Sequence, residues 1–183
     1  MTYTLEQFCD DCRTALGTDD GDGGREVVRA NLGRLLANED FVAAHCGPDA
    51  ERGIHRLYED PDLGFMVLAH IYEKGVESPP HDHGPSWAIY GQAVEHTDMT
   101  VWRETGKTPG GSEPIVEPAE HYRLDPGMVG VFHPSDIHSI RFPDGARFVR
   151  VTGTDLDNVV QRRFNLRENT VDGTKPVPDP VDA

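Results

Sequence analysis

Gly75-Val76-Glu77-Ser78-Pro79-Pro80-His81-Asp82-His83-Gly84-Pro85-Ser86-Trp87 carries two histidines two positions apart. On an extended backbone, side chains two apart project to the same side, so His81 and His83 aim two imidazoles at one point. A third histidine, His138, lies far downstream in Phe132-His133-Pro134-Ser135-Asp136-Ile137-His138, after the Pro126-Gly127 turn. A neighbouring strand can return it to the same place. Three neutral imidazoles suit a divalent transition metal.

Around this stretch, from Gly64 onward, short β-branched and aromatic runs are broken by Gly, Pro and Asp at close spacing, the pattern of an antiparallel sandwich or barrel. The expected strands are Phe65 to Tyr72, Ser86 to Ala93, Thr97 to Arg103, Glu120 to Leu124, Met128 to Phe132, His138 to Phe142, Phe148 to Gly153 and Val159 to Leu166. Asp125-Pro126-Gly127 and Pro143-Asp144-Gly145 supply turns, and Thr105 to Glu113 reads as a polar loop. Before the break near Asp60-Pro61 the texture is helical. Leu5 to Leu16 and Arg25 to Leu36 form amphipathic segments, and Asp40 to Cys46 a third, short helix. Thr18 to Gly24 reads as a flexible connection, since it lacks the ordered oxygen ligands and closing Glu of a calcium loop. The expected organisation is one structural domain: N-terminal helices over residues 1–60 packed on a barrel over 61–168, then a disordered, acidic, proline-rich tail over 169–183.

At 183 residues the chain is long enough for one domain with a real core. A net charge of −15 repels phosphate backbones and anionic membrane surfaces, which argues against nucleic acid and membrane partners. Three cysteines, Cys9, Cys12 and Cys46, are an odd number in a chain without disulfide character, which points to a reducing, cytoplasmic setting. Cys9-Asp-Asp-Cys12 has redox-motif spacing but lies in a run of helical period, where small buried side chains are the simpler reading. No basic segment followed by an apolar run opens the chain, and no window is long enough to span a bilayer.

Gly75, separated by five residues from His81-x-His83, makes the stretch resemble the first motif of the cupin family, whose fold is a double-stranded β-helix or jelly-roll barrel. That motif usually adds a Glu four or five residues after the second histidine, where this chain has Trp87 and Ala88; Glu95 is too far along to substitute. Pro134-Ser-Asp136-Ile-His138 is similar to the second cupin motif, with Asp136 in place of its Gly, spacing one residue shorter and no Asn at the usual interval. His133 competes with His138 for the third position, and the strand-like run Ser139-Ile-Arg-Phe142 favours His138. The missing carboxylate, with His-Asp-His-Gly and Trp87-Ala-Ile-Tyr-Gly91, resembles the thiol dioxygenases, cysteine dioxygenase and 3-mercaptopropionate dioxygenase. The likeness runs from about Arg56 to Leu156.

That resemblance implies a mononuclear non-haem Fe(II) site of His81, His83 and His138, with a small thiol carboxylate and dioxygen as partners and a sulfinate as product. Three imidazoles alone also accept Zn, Ni, Cu or Mn. Thiol dioxygenases carry an outer-sphere Ser-x-His-x-Tyr run on a late strand, and the aligned Phe148-Val149-Arg150-Val151-Thr152 changes all three positions. The departure leaves open a metal-dependent cupin of other chemistry, such as β-dicarbonyl cleavage, isomerisation or hydrolysis, or a non-enzymatic binding cupin.

Arg150 shares a strand face with Phe148 and Thr152. If that face is interior, a buried guanidinium beside the metal calls for a substrate carboxylate, and Thr152 joins the surroundings of the site. If Val149 and Val151 face inward, as their polarity suggests, Arg150 faces water. Arg56 lies near the position where the family places a carboxylate-binding arginine, although a surface salt bridge accounts for it equally well. Tyr72, Trp87 and Tyr90 either line the pocket or fill plain core. Asp82, pointing away from the two ligands, suits a turn-fixing role. His45, His55, His70, His96 and His121 have no ligand-like spacing and are read as structural or surface residues.

Overall fold

The structure, a computed structural model, describes residues 2–107 and 114–174. Three helices come first: α1 (Leu5–Thr18), α2 (Asp22–Leu36) and α3 (Glu39–Cys46). A capping box starts α1, in which the Thr4 hydroxyl accepts the Gln7 N–H and the Gln7 side chain accepts that of Thr4. Asn38 caps α3 by accepting the N–H groups of Asp40 and Phe41. Phe8, Cys9, Cys12 and Leu16 of α1 are buried with Val28, Leu32, Leu35 and Leu36 of α2, as the helical period requires. The Gly/Asp connection is shorter than its composition suggests, because Asp22, Gly23 and Gly24 already belong to α2.

Eleven strands follow: β1 (Gly53–Glu59), β2 (Met66–Ile71), β3 (Val76–Glu77), β4 (Ala88–Val94), β5 (Thr97–Lys107), β6 (Pro114–Leu124), β7 (Val129–Phe132), β8 (Ile137–Phe142), β9 (Arg147–Thr152), β10 (Gln161–Asn165) and β11 (Thr170–Thr174). Among the described residues one sheet runs in the order β1-β2-β9-β4-β7, a second β3-β8-β5-β6 and a third, two-stranded, β10-β11, and all the pairings are antiparallel. Strands β2-β9-β4-β7 against β3-β8-β5-β6 is the strand order of a jelly roll. The chain is thus mainly β with N-terminal helices, and β1 extends one edge. Asp125-Pro-Gly127 and Pro143-Asp-Gly145 both make turns, with the Met128 N–H donating to the Asp125 carbonyl and the Ala146 N–H to the Pro143 carbonyl.

Gly75, the motif glycine, is required by close approach. A Cβ there would stand 2.7 Å from the Phe142 carbonyl oxygen. Its N–H is held by Asp144 at 2.7 Å, which fastens the start of β3 to the β8–β9 turn.

Two expectations are corrected. Gly53–Glu59, inside the stretch read as helical, is strand β1 paired with β2, so the Asp60-Pro61 break marks a β turn and not the border between helices and barrel. Residues 170–174, inside the expected disordered tail, are β11, paired with β10. The rest of that tail, 175–183, and most of the expected Thr105 to Glu113 loop lie outside the described residues, and β5 continues to Lys107.

The β1–β2 turn is built on Asp60, only 2% exposed. Its carboxylate accepts the N–H groups of Asp62 and Leu63 and the Tyr58 hydroxyl, and it meets Arg13 of α1 at 3.0 Å. Burial pushes its pKa up, but these donors outweigh burial and hold it below the usual carboxylate range. A depressed folded-state pKa contributes stability above the unfolded value, about 4, that is lost as pH falls through the folded pKa. Asp60→Ala should therefore cost about 2–3 kcal/mol at neutral pH. The deficit in denaturant unfolding should shrink on acidification towards pH 3; a deficit independent of pH would show that the carboxylate's charge is immaterial.

The central strands β2, β9 and β4 are largely buried on both faces, and this decides which side chains reach the barrel interior. Val67, Ile71, Ile89, Val149 and Val151 pack under the helices. Ala88, Tyr90, Phe132 and Phe148 form the interior with Met99, Leu124 and Phe142. Cys9, Cys12 and Cys46 are free and buried, and burial pushes the Cys46 thiol up to about 11. No helix among the described residues is long and apolar enough to cross a membrane.

Candidate metal centre

The His81–His83 segment lies between two strands. The His81 and His138 backbones exchange N–H···O bonds of 2.9 Å in both directions, tying the segment to the start of β8. On its other side the Asp82 N–H donates to the Arg162 carbonyl, and the Phe164 N–H to the Pro80 carbonyl, tying it to β10. Gly84 ends the segment with φ +55°, a conformation costly for other residues, and a Cβ there would collide with the Val160 carbonyl. Ser135, also at positive φ (67°), bends the chain into β8 next to Asp136, where the cupin motif has its glycine.

These constraints bring together His81, His83 and His138, whose candidate ligand atoms all lie within 4.8 Å of one another. Ring centroids are 4.5 Å apart for His81 and His138, and 4.8 Å for His83 and His138. His83 and His138 are buried and His81 is partly exposed, so the group meets solvent at His81. Nδ1 of His81 lies 3.0 Å from the Pro79 carbonyl. A carbonyl only accepts, so Nδ1 carries the proton and Nε2 keeps its lone pair. Both nitrogens of His138 are buried, with no hydrogen bond beyond a weak contact to the Asp136 backbone, while its ring stacks on Phe132 at 3.9 Å. Burial, then mutual repulsion and the nearby Arg150, push protonation of His83 and His138 far down, leaving the neutral imidazoles that a metal requires. Three neutral imidazoles whose ligand atoms converge within 4.8 Å at a largely buried place fit a transition-metal ion, and this group could hold one. His133 is elsewhere: its ring contacts Asp22 and Arg25 of α2.

Asp82 points away from the cluster and is 1% exposed. It accepts the Gly84 and Arg162 N–H groups and pairs with the Arg162 guanidinium at 2.5 Å, while Arg162 reaches on to Glu104 at 2.6 Å. Arg162 had no sequence signal beyond its charge. Arg162→Met should weaken metal binding about tenfold by loosening the segment between the ligands. A chelator-competition titration reads this directly, and unchanged affinity would reduce the Asp82–Arg162 pair to a fold contact.

Arg150 is interior. Register pairs it with Leu68 on β2 and Tyr90 on β4, and its charge acts on all three site histidines. Val149 and Val151 were the inward candidates by polarity; they do face apolar surroundings, but under the helices. Thr152 shares the Arg150 face, fully buried, with an unpartnered Oγ1. Tyr90 brings its hydroxyl to 3.4 Å from His83 Nε2. Tyr72 lies deeper in the barrel, its hydroxyl 3.5 Å from His70 Nδ1. Two alternatives are decided here against the pocket. Trp87 packs in the helix-side core against Gly153, because it precedes the inward-facing Ala88 by one residue. Arg56, on the exposed face of β1, pairs with Glu59 at 2.5 Å and takes no part in the site. His70, read as structural, is interior and wholly buried.

No protein-family model and no curated protein matches the chain. Among solved structures it is similar to the cupin domain of Cnp3 from Schizosaccharomyces pombe (TM-score 0.44, 14% identity, 59% of this chain and 66% of that one). It is also similar to the DMSP lyase DddQ from Ruegeria pomeroyi (0.43, 15%, 60% and 49%) and to KdgF from a Halomonas species (0.41, 18%, 57% and 81%). The matched region spans just under two thirds of the first of these chains and about half of the second.

Proposed function

We propose that the protein is a non-haem iron dioxygenase that oxidises a small thiol carboxylate, with His81, His83 and His138 as metal ligands and Arg150 as the partner of the substrate carboxylate. The carrying observation is the charge inventory of the site. Burial holds the three imidazoles neutral, no acidic side chain among the described residues belongs to the ligand group, and the charge of Arg150 acts on all three. With a divalent ion the three neutral ligands leave the group dicationic, and a thiolate-carboxylate dianion offsets that charge. Ferrous iron in this group would supply the redox chemistry that lets dioxygen react with a thiolate. In the balanced reaction the thiolate takes up both atoms of dioxygen to become a sulfinate, with no further reductant.

The chain's own residues bind and orient. Arg150 holds the anionic end of the substrate, Tyr90 stands against His83, and Phe132 and Phe148 keep the interior apolar. Entry is by the partly exposed His81 side. The buried free thiols agree with a cytoplasmic setting. Aerobic incubation of iron-loaded protein with a panel of small thiols tests the reading: oxygen uptake with sulfinate formation is expected, and no uptake with any thiol would sink it.

A second reading keeps the metal and replaces the oxidation by isomerisation, hydrolysis or β-dicarbonyl cleavage. The absence of Ser-x-His-x-Tyr from Phe148–Thr152 favours it. Metal-dependent turnover without oxygen consumption would select it.

A further inference from the structure

His70 occupies the barrel interior on β2, the strand beside the one that carries Arg150. Its ring lies opposite Phe148 in register and stacks on it with centroids 4.7 Å apart. The side chain is 0% exposed; Nδ1 has the Tyr72 hydroxyl at 3.5 Å, and Nε2 has no hydrogen-bond partner. Burial first, then the Arg150 charge, pushes its protonation far down, so the ring is neutral and has one N–H. A packed core does not ordinarily keep an imidazole nitrogen unmet. The buried nitrogens of His138 are accounted for by a metal; the unmet one of His70 is not.

Register fixes where His70 stands. Thr152 pairs with Met66 and Ala88, Arg150 with Leu68 and Tyr90, and Phe148 with His70 and Gln92. Along one interior direction the polar groups therefore follow in the order Thr152, Arg150, His70, with about 6–7 Å per step. His70 lies one step past Arg150, away from Thr152.

We propose that His70 Nε2 and the Arg150 guanidinium together form a carboxylate subsite in the barrel, so that the substrate's anionic end is read by two donors deeper than the metal group. This rests on the reading of the substrate as a thiol carboxylate. With the Tyr72 hydroxyl donating to Nδ1, the neutral ring carries its proton on Nε2 and donates it to a carboxylate oxygen. A guanidinium beside a neutral N–H donor accepts an anion and rejects an amine. His70 is on this account a specificity-determining residue, and Tyr72 positions it by fixing the tautomer.

The test is anaerobic binding to the cobalt(II)-loaded protein, followed by thiolate-to-cobalt absorption, with 3-mercaptopropionate as probe and 2-mercaptoethanol as its carboxylate-free counterpart. His70→Phe keeps the ring stack and removes the nitrogens. It should raise the Kd for 3-mercaptopropionate about tenfold, leaving 2-mercaptoethanol affinity and cobalt content unchanged. His70→Gln returns a donor and should recover part of the loss. In the zinc-loaded wild-type protein the His70 imidazole nitrogen signal should shift with 3-mercaptopropionate and not with 2-mercaptoethanol, a readout independent of how the variants fold. If Arg150→Gln weakens 3-mercaptopropionate while His70→Phe and the nitrogen signal do not respond, the His70 assignment is overturned and the proposed function stands. If wild-type protein shows no preference for 3-mercaptopropionate over 2-mercaptoethanol, both fall.

Discussion

His138→Leu is expected to abolish metal retention and, at the same time, to stabilise the metal-free chain. Both follow from the same two atoms. The ring nitrogens of His138 are buried with no more than a weak contact to the Asp136 backbone, so without an ion they incur a desolvation cost with little in return. Leucine fills much of the same space against Phe132 and removes the polar atoms, which should gain about 1–2 kcal/mol, or roughly 2–8 °C in Tm for a chain of this size. With metal at a thousandfold excess over its Kd, the wild-type protein should instead gain about 4 kcal/mol by linkage, and the variant nothing. Elemental analysis and thermal melts with and without added metal check both parts. Retention of metal at wild-type affinity would remove His138 from the ligand set.

The second large effect is expected from Arg150→Gln, which should weaken 3-mercaptopropionate about a hundredfold, or roughly 2.7 kcal/mol, with metal content unchanged. Truncating one partner of a buried charge pair leaves the substrate carboxylate desolvated and unanswered, so the loss should appear with carboxylate-bearing ligands and vanish with 2-mercaptoethanol. Equal weakening of both ligands would mean that Arg150 shapes the metal group and does not read the substrate.

Arg150 also marks where the sequence ceases to be legible. The jelly roll could be read, since turns such as Asp125-Pro-Gly127 and Pro143-Asp-Gly145 punctuate short apolar runs, and the His-x-His spacing sets two imidazoles side by side. Alternation within a strand, however, tells which faces differ and not which face is the interior. Val149 and Val151 look like the core side of β9, and they are, but the core they enter belongs to the helices. Once α2 and its neighbours cover the outside of the sheet, the polar-looking face of β9 becomes the lining of the barrel. Trp87 is misread for the converse reason: its apolar bulk suits either core, and its position one residue before Ala88 puts it under the helices. His70 was invisible because its meaning depends on the pairing of β2 with β9, a contact between residues about 80 positions apart.

The β10 strand that runs beside Pro80–Asp82 has a consequence for the order of assembly. Asp82, between two of the candidate ligands, is held by Arg162, a residue 80 positions later in the chain. Contacts so distant in sequence require the closure of a long loop. As the chain leaves the ribosome, the helices and β1 to β9 can collapse before β10 exists, so the nascent barrel has its three histidines but no finished clasp around them. A metal ion held by the three histidines would accordingly meet the finished clasp only once the β10–β11 hairpin has docked.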